Sequence, residues 1–117
     1  MSGNNTKNRK PGTVTFTVAE CGEFHSLGEY HEDIATPEEA AETYRAIPPV
    51  RMNGIPAIGI RLYTEEEPEG MQIDILSGRE IHTGLIHCMP EAESCPAVWE
   101  AVRELQRLFP ENEVTDF

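Results

Sequence analysis

Val98, Val102, Leu105 and Phe109 recur at spacings of four, three and four between Cys95-Pro96 and Pro110. That spacing sets all four on one side of a helix, and Trp99 and Leu108 widen the stripe. A helix with one apolar face needs a second layer to bury it. The layer is legible upstream. In TVTFTVAEC, Val14, Phe16 and Val18 alternate with Thr13, Thr15 and Thr17, the period of a half-buried strand rich in β-branched side chains. IPAIGIRLYT puts Ile58, Ile60 and Leu62 on one face and Gly59, Arg61 and Tyr63 on the other, after an Asn53-Gly54 turn. MQIDIL groups Met71, Ile73 and Ile75, so these two segments form a predicted hairpin across the acidic connection EEEPEG, residues 65–70. Ser77-Gly78 starts another turn, and residues 79–83 supply a short fourth strand.

A second helix is marked by its ends. Thr36 is a natural N-cap, Pro37 suits the first helical position, and Glu39 completes a T-x-x-E capping box. Glu38, Glu39 and Glu42 place negative charge near the positive end of the helix dipole. Ala40 or Ala41, Tyr44 and Ile47 share a face, and Pro48-Pro49 stops the ladder. In GEFHSLGEYHEDI the first part reads as a loop and Tyr30 to Ile34 as short and extended. Residues 84–93 carry no period and read as mostly irregular, and ENEVTDF as a tail. The expectation is an α+β fold: a small, mainly antiparallel three- to four-stranded sheet with two helices on one face, in the order β-α-β-β-(β)-α. Residues 1–12 are polar and basic and read as a flexible leader, with residues 13–117 forming one domain.

Charge narrows the function classes. The chain carries 21 acids against 9 bases, a formal charge of −12, and three of the bases, Lys7, Arg9 and Lys10, sit in the first ten residues. Phosphate backbones are held by Lys and Arg, so direct nucleic-acid binding by the folded part is disfavoured. A basic protein surface is attracted instead. No apolar run approaches the roughly 20 residues that span a bilayer, so no membrane association is expected. Three irregularly spaced cysteines, Cys21, Cys88 and Cys95, fit a reducing compartment, and the cytoplasm is the expected location.

No catalytic motif is complete. His25 and His31, with Glu29 and Glu32 nearby, offer zinc-ligand types, yet the chain has no C-x2-C, H-E-x-x-H or helical H-x3-H pair. No metal and no cofactor are expected. Cys21 or Cys88 beside a histidine supplies the residue types of a cysteine nucleophile without the motif that positions them. Phosphate-cradling glycine loops are absent from the sequence, and lysine does not occur beyond Lys10. The segment ECGEFHSLGEYHED, residues 20–33, concentrates aromatics beside polar groups. Glu23, Phe24, His25, Glu29, Tyr30, His31 and Glu32 are its candidate binding residues.

The stretch TFTVAECGEFHSLGEYHEDIATPEEAAETYRAIP, followed by RMNGIPAIGI and QIDILSG, resembles the YodL-like and large polyvalent protein-associated modules of conjugative elements and phages of gut Firmicutes. The resemblance covers roughly residues 13–112. It implies a role in element transfer or in countering host defence, and it brings no catalytic residues with it.

Together these features favour an accessory protein-binding module of a mobile genetic element, antirestriction-like. Its expected partner is a basic host-defence or DNA-processing protein, and an acidic DNA mimic is the sharper version. The alternatives are a small metal- or cysteine-dependent hydrolase using His25, His31 and Cys21, and a structural or oligomerising domain.

Overall fold

The protein is seen here as a computed structural model that describes residues 9–22, 27–48 and 54–116, with backbone alone for residues 21, 22 and 27–29. Strand β1 (Val14–Gly22) is followed by β2 (Leu27–Ile34), helix α1 (Pro37–Arg45), β3 (Gly54–Leu62), β4 (Met71–Ser77) and β5 (Glu80–His82). Two single-turn helices, α2 (Gly84–His87) and α3 (Pro90–Glu93), lead into α4 (Pro96–Leu108), and β6 (Glu113–Thr115) closes the chain. The sheet order is β2-β1-β3-β4-β5-β6. All neighbours are antiparallel except β5 and β6. The α+β class agrees with the sequence, but the sheet is mixed and has six strands rather than three or four.

Two differences, β2 and β6, account for the larger sheet, and a third adds helices between them. The segment LGEYHEDI is a strand along its whole length, paired with β1 through two register shifts. These irregularities, with Asp33 at φ 59°, remove the period-two signal that a regular strand displays. Residues 84–93 form two four-residue helices, too short to show a helical period. The tail after Pro110 becomes β6, with Glu113 N–H donating to the Arg79 carbonyl at 3.1 Å and Thr83 N–H to the Thr115 carbonyl at 2.9 Å. Parallel pairing needs a crossover, and α2, α3 and α4 provide it.

One face of the sheet carries the core. Phe16, Val18, Ile58, Ile60, Leu62, Ile73 and Ile81 pack with Ala40 and Ala41 of α1 and with Val98, Ala101, Val102 and Leu105 of α4. Each fully buried aliphatic side chain contributes about 1.5–3 kcal/mol. A register shift in β4 sets Leu76 rather than Ile75 opposite Ile58, and both side chains are buried. Helix α1 starts where its capping box requires: Thr36 is extended, and its hydroxyl accepts from the Glu39 N–H at 3.1 Å. Tyr44 meets Phe109 edge to face at 5.3 Å, joining α1 to the end of α4.

Residues 9–12 run alongside the sheet. Gly12 N–H donates to the Tyr63 carbonyl at 2.7 Å, and Tyr63 N–H to the Thr13 carbonyl at 3.0 Å. The Arg9 guanidinium lies over the Tyr63 ring and pairs with Asp33 at 3.2 Å.

Candidate functional site

Of the segment singled out from sequence, residues 20–22 end β1 and residues 27–33 lie on the edge strand β2. Glu23, Phe24 and His25 fall outside the described residues, and Glu29 is placed by its backbone alone. Tyr30, His31 and Glu32 sit on β2, which borders the sheet and, among the described residues, pairs only with β1. Tyr30 is opposite Ala19 and His31 opposite Val18, so the two adjacent side chains take opposite faces of the sheet. Tyr30 goes to the face without helices, where it is 41% exposed. Among the described residues, Tyr30 and His31 therefore do not converge on one site.

The thiol and imidazole groups are dispersed as well. The Cys21 side chain lies outside the described residues. Cys88 is exposed, and Cys95 is half-buried with its Sγ 3.9 Å from the Gly12 carbonyl. One histidine–carboxylate contact among the described residues was not isolated by the sequence reading. His87 Nδ1 lies 2.9 Å from Glu93 Oε2, and the imidazole is tilted against Trp99 at 5.3 Å between centroids. Trp99 Nε1 donates to the Glu93 carbonyl at 2.9 Å, so this pair also fastens α2 and α3 to α4. Among the described residues no group of three His, Cys, Asp or Glu side chains is arranged to hold a metal ion.

Other polar groups sit where alternation places them. Glu20 continues the inward series of Val14, Phe16 and Val18, and it is wholly buried opposite Pro56. Neither of its carboxyl oxygens has a hydrogen-bond partner among the described residues. The strand period alone would have identified it as inward-facing. On the face without helices, Thr15, Arg61 and Gln72 form one row across three strands, and Thr17, Gly59 and Asp74 the next. A Cβ at Gly59 would fall on the Gln72 amide and lie 3.1 Å from Asp74 Oδ1, so a larger residue here requires the Gln72 side chain to move. Beyond these rows, Ala19 and Ala57 lie in register between Tyr30 and Ser77, with Ile55 58% exposed beside them.

Carboxylates dominate the remaining surface. A concavity of about 500 Å³ where the β3–β4 connection meets α3 is lined by Glu66, Glu67 and Glu91, together with Thr64, Met71 and Gln72. No ion pair ties Glu39, Glu42, Glu65, Glu66, Glu67, Glu91, Glu100 or Asp116 to a described cation within 4.0 Å. Four arginines are engaged locally. Arg107 holds Glu104 at 2.6 Å and Glu38 at 3.5 Å. Arg45 reaches Glu111 at 3.2 Å and the Leu108 carbonyl at 2.8 Å, with its guanidinium over the Phe109 ring. Arg9 pairs with Asp33, and Arg61 donates to the Glu69 carbonyl at 3.1 Å. The hydrogen bond from Arg107 holds the Glu104 carboxyl below its ordinary pKa. A backbone hydrogen bond, and then Arg45, do the same for Glu111.

No helix among the described residues is long and apolar enough to cross a membrane. Comparison with protein-family models, curated proteins and solved structures finds no match to this chain.

Proposed function

We propose that this protein is an accessory protein-binding module of a mobile genetic element that counters host defence, its carboxylate surface occupying the place of a phosphate backbone on a basic partner. The observation that carries this reading is the acid-walled concavity of Glu66, Glu67 and Glu91, on a chain whose formal charge is −12. Fixed carboxylates on a rigid scaffold attract a cationic surface at long range and repel nucleic acid. The family resemblance carried by residues 13–112 supports the same role.

Cleavage assays with purified restriction and RNA-guided nucleases test it. The expected result is inhibition that is relieved by added duplex DNA and weakened by rising ionic strength. Salt-insensitive inhibition, or none across the panel, counts against the reading.

Self-association has one specific observation in its favour. Val114 is 56% exposed on the edge strand β6, and such an edge can pair with another chain. A sedimentation measurement that returns a monomer removes this second reading.

A further inference from the structure

We propose that the furrow between the entry of α1 and the first turns of α4 is a docking groove for a basic amphipathic helix of a partner protein. The inference rests on the partner-binding reading and names the segment that this groove takes.

The floor is apolar and made of small or flat groups: Val14 and Phe16 of β1, Pro37, and Ala97 and Ala101 of α4. Glu100 and Glu104, one turn apart, stand on its edge. Its volume is about 230 Å³. That is below the roughly 300–1,000 Å³ of small-molecule sites, so it suits one or two side chains of a larger partner. An extended segment gains little here. β1 is hydrogen-bonded to β2 on one side and β3 on the other, so the groove offers no open strand edge. Helix-in-groove docking needs none, because it works through apolar anchors spaced three and four residues apart.

Glu104 already carries Arg107, so Glu100 is the wall carboxylate that sets the sign of the partner. Glu100 is exposed and has no hydrogen-bond or ion-pair partner among the described residues. This helical layer already holds its own guanidinium groups in the manner proposed. Arg107 spans Glu104 and Glu38, and Arg45 lies 4.3 Å over the Phe109 ring with its head on Glu111 and the Leu108 carbonyl. A partner Arg or Lys one turn from an apolar anchor would repeat that arrangement, its stem over Ala97 and Ala101 and its head on Glu100.

The probe is a synthetic peptide with Leu at positions i and i+4 and Arg one turn further, at i+7, beside a scrambled peptide of the same composition. Binding to the full chain is read by fluorescence anisotropy. The patterned peptide is expected to bind about tenfold more tightly than the scrambled one. Glu100→Lys, on the surface, and Ala97→Phe, which fills the floor, are each expected to weaken binding by about tenfold, near 1.4 kcal/mol. Glu66→Gln and Glu67→Gln leave it unchanged. Circular dichroism establishes that each variant is folded.

Equal binding of both peptides, or equal losses at Glu66 and Glu100, overturns the groove and leaves the general acidic reading standing. Nuclease inhibition that persists in Ala97→Phe, with no peptide binding by the parent chain, has the same meaning. Peptide binding without nuclease inhibition keeps the groove and removes the host-defence role. A dimer of the parent chain that dissociates in Ala97→Phe assigns the furrow to a second copy and overturns the proposal.

Discussion

The Tyr44 hydroxyl donates to the Gly78 carbonyl at 2.9 Å, joining α1 to the turn between β4 and β5. The turn needs Gly78, whose φ of 63° suits glycine. Asn112 Nδ2 reaches the same carbonyl at 3.5 Å, so one acceptor gathers a helix, a hairpin turn and the segment before β6. Tyr44→Phe is expected to cost about 1 kcal/mol in urea unfolding, the net value of a typical hydrogen bond.

The same residue sets an alkaline limit. Burial, and then the Glu111 charge, raise the Tyr44 pKa above 10.0. The folded state therefore holds the phenol proton more tightly than the unfolded chain does. Its contribution is complete below about pH 10 and is lost as pH rises through the folded value. Urea midpoints compared on either side of pH 10 should fall more steeply in the parent than in Tyr44→Phe.

Thr36→Ala removes the hydroxyl that accepts from the Glu39 N–H. The expected cost is about 1 kcal/mol, with a fall in the unfolding midpoint and no change in urea m-value. Restoring Ser at this position should recover most of the loss.

Gly59 and Gln72 form a coupled pair across β3 and β4. An added methyl at residue 59 meets the Gln72 amide, so Gly59→Ala is expected to destabilise the parent. In a Gln72→Ala background the amide contact is gone and Asp74 Oδ1 at 3.1 Å remains, so the same change should cost less than it does in the parent. A double-mutant cycle that shows strict additivity would remove the contact as the reason for this glycine.

These residues show where the sequence was readable. The Thr36–Glu39 cap, the stripe from Val98 to Phe109 and the alternating faces of β1 and β3 are local patterns, and the protein keeps them. Thr15 and Thr17 are buried too, however, so β1 is covered on both faces rather than half-buried. β2 was only partly legible because its two register shifts and the positive φ of Asp33 break the period of two. β6 exists because the crossover through α4 delivers residues 113–115 beside β5, and no local pattern encodes that meeting. The candidate segment was singled out by its residue types, and its placement on two faces of a strand was not legible. Tyr30 and His31 are neighbours in sequence on opposite faces, whereas Glu100 and Ala97 gain meaning only from α1 and β1 beside them.

Net charge should govern the solution behaviour of the fold. At a formal −12, self-repulsion opposes compaction, so added salt is expected to raise the thermal midpoint at pH 7. Protonating surface carboxylates brings the same relief as pH falls toward about 5. The gain reverses in stronger acid. The Glu104 and Glu111 carboxyls have folded pKa values below 4.5, so their contribution is present above that value and lost as pH falls through the folded ones. Thermal melts across this range in low and high salt should give a maximum on the acid side of neutrality, flattened by salt.

The sharpest test of a carboxylate surface standing in for phosphate is competition between this chain and duplex DNA for one basic nuclease, followed as ionic strength is raised. Mutually exclusive binding, with both complexes weakening steeply as salt is added, is the expected result. A ternary complex of nuclease, DNA and this chain, or an affinity indifferent to salt, would contradict it.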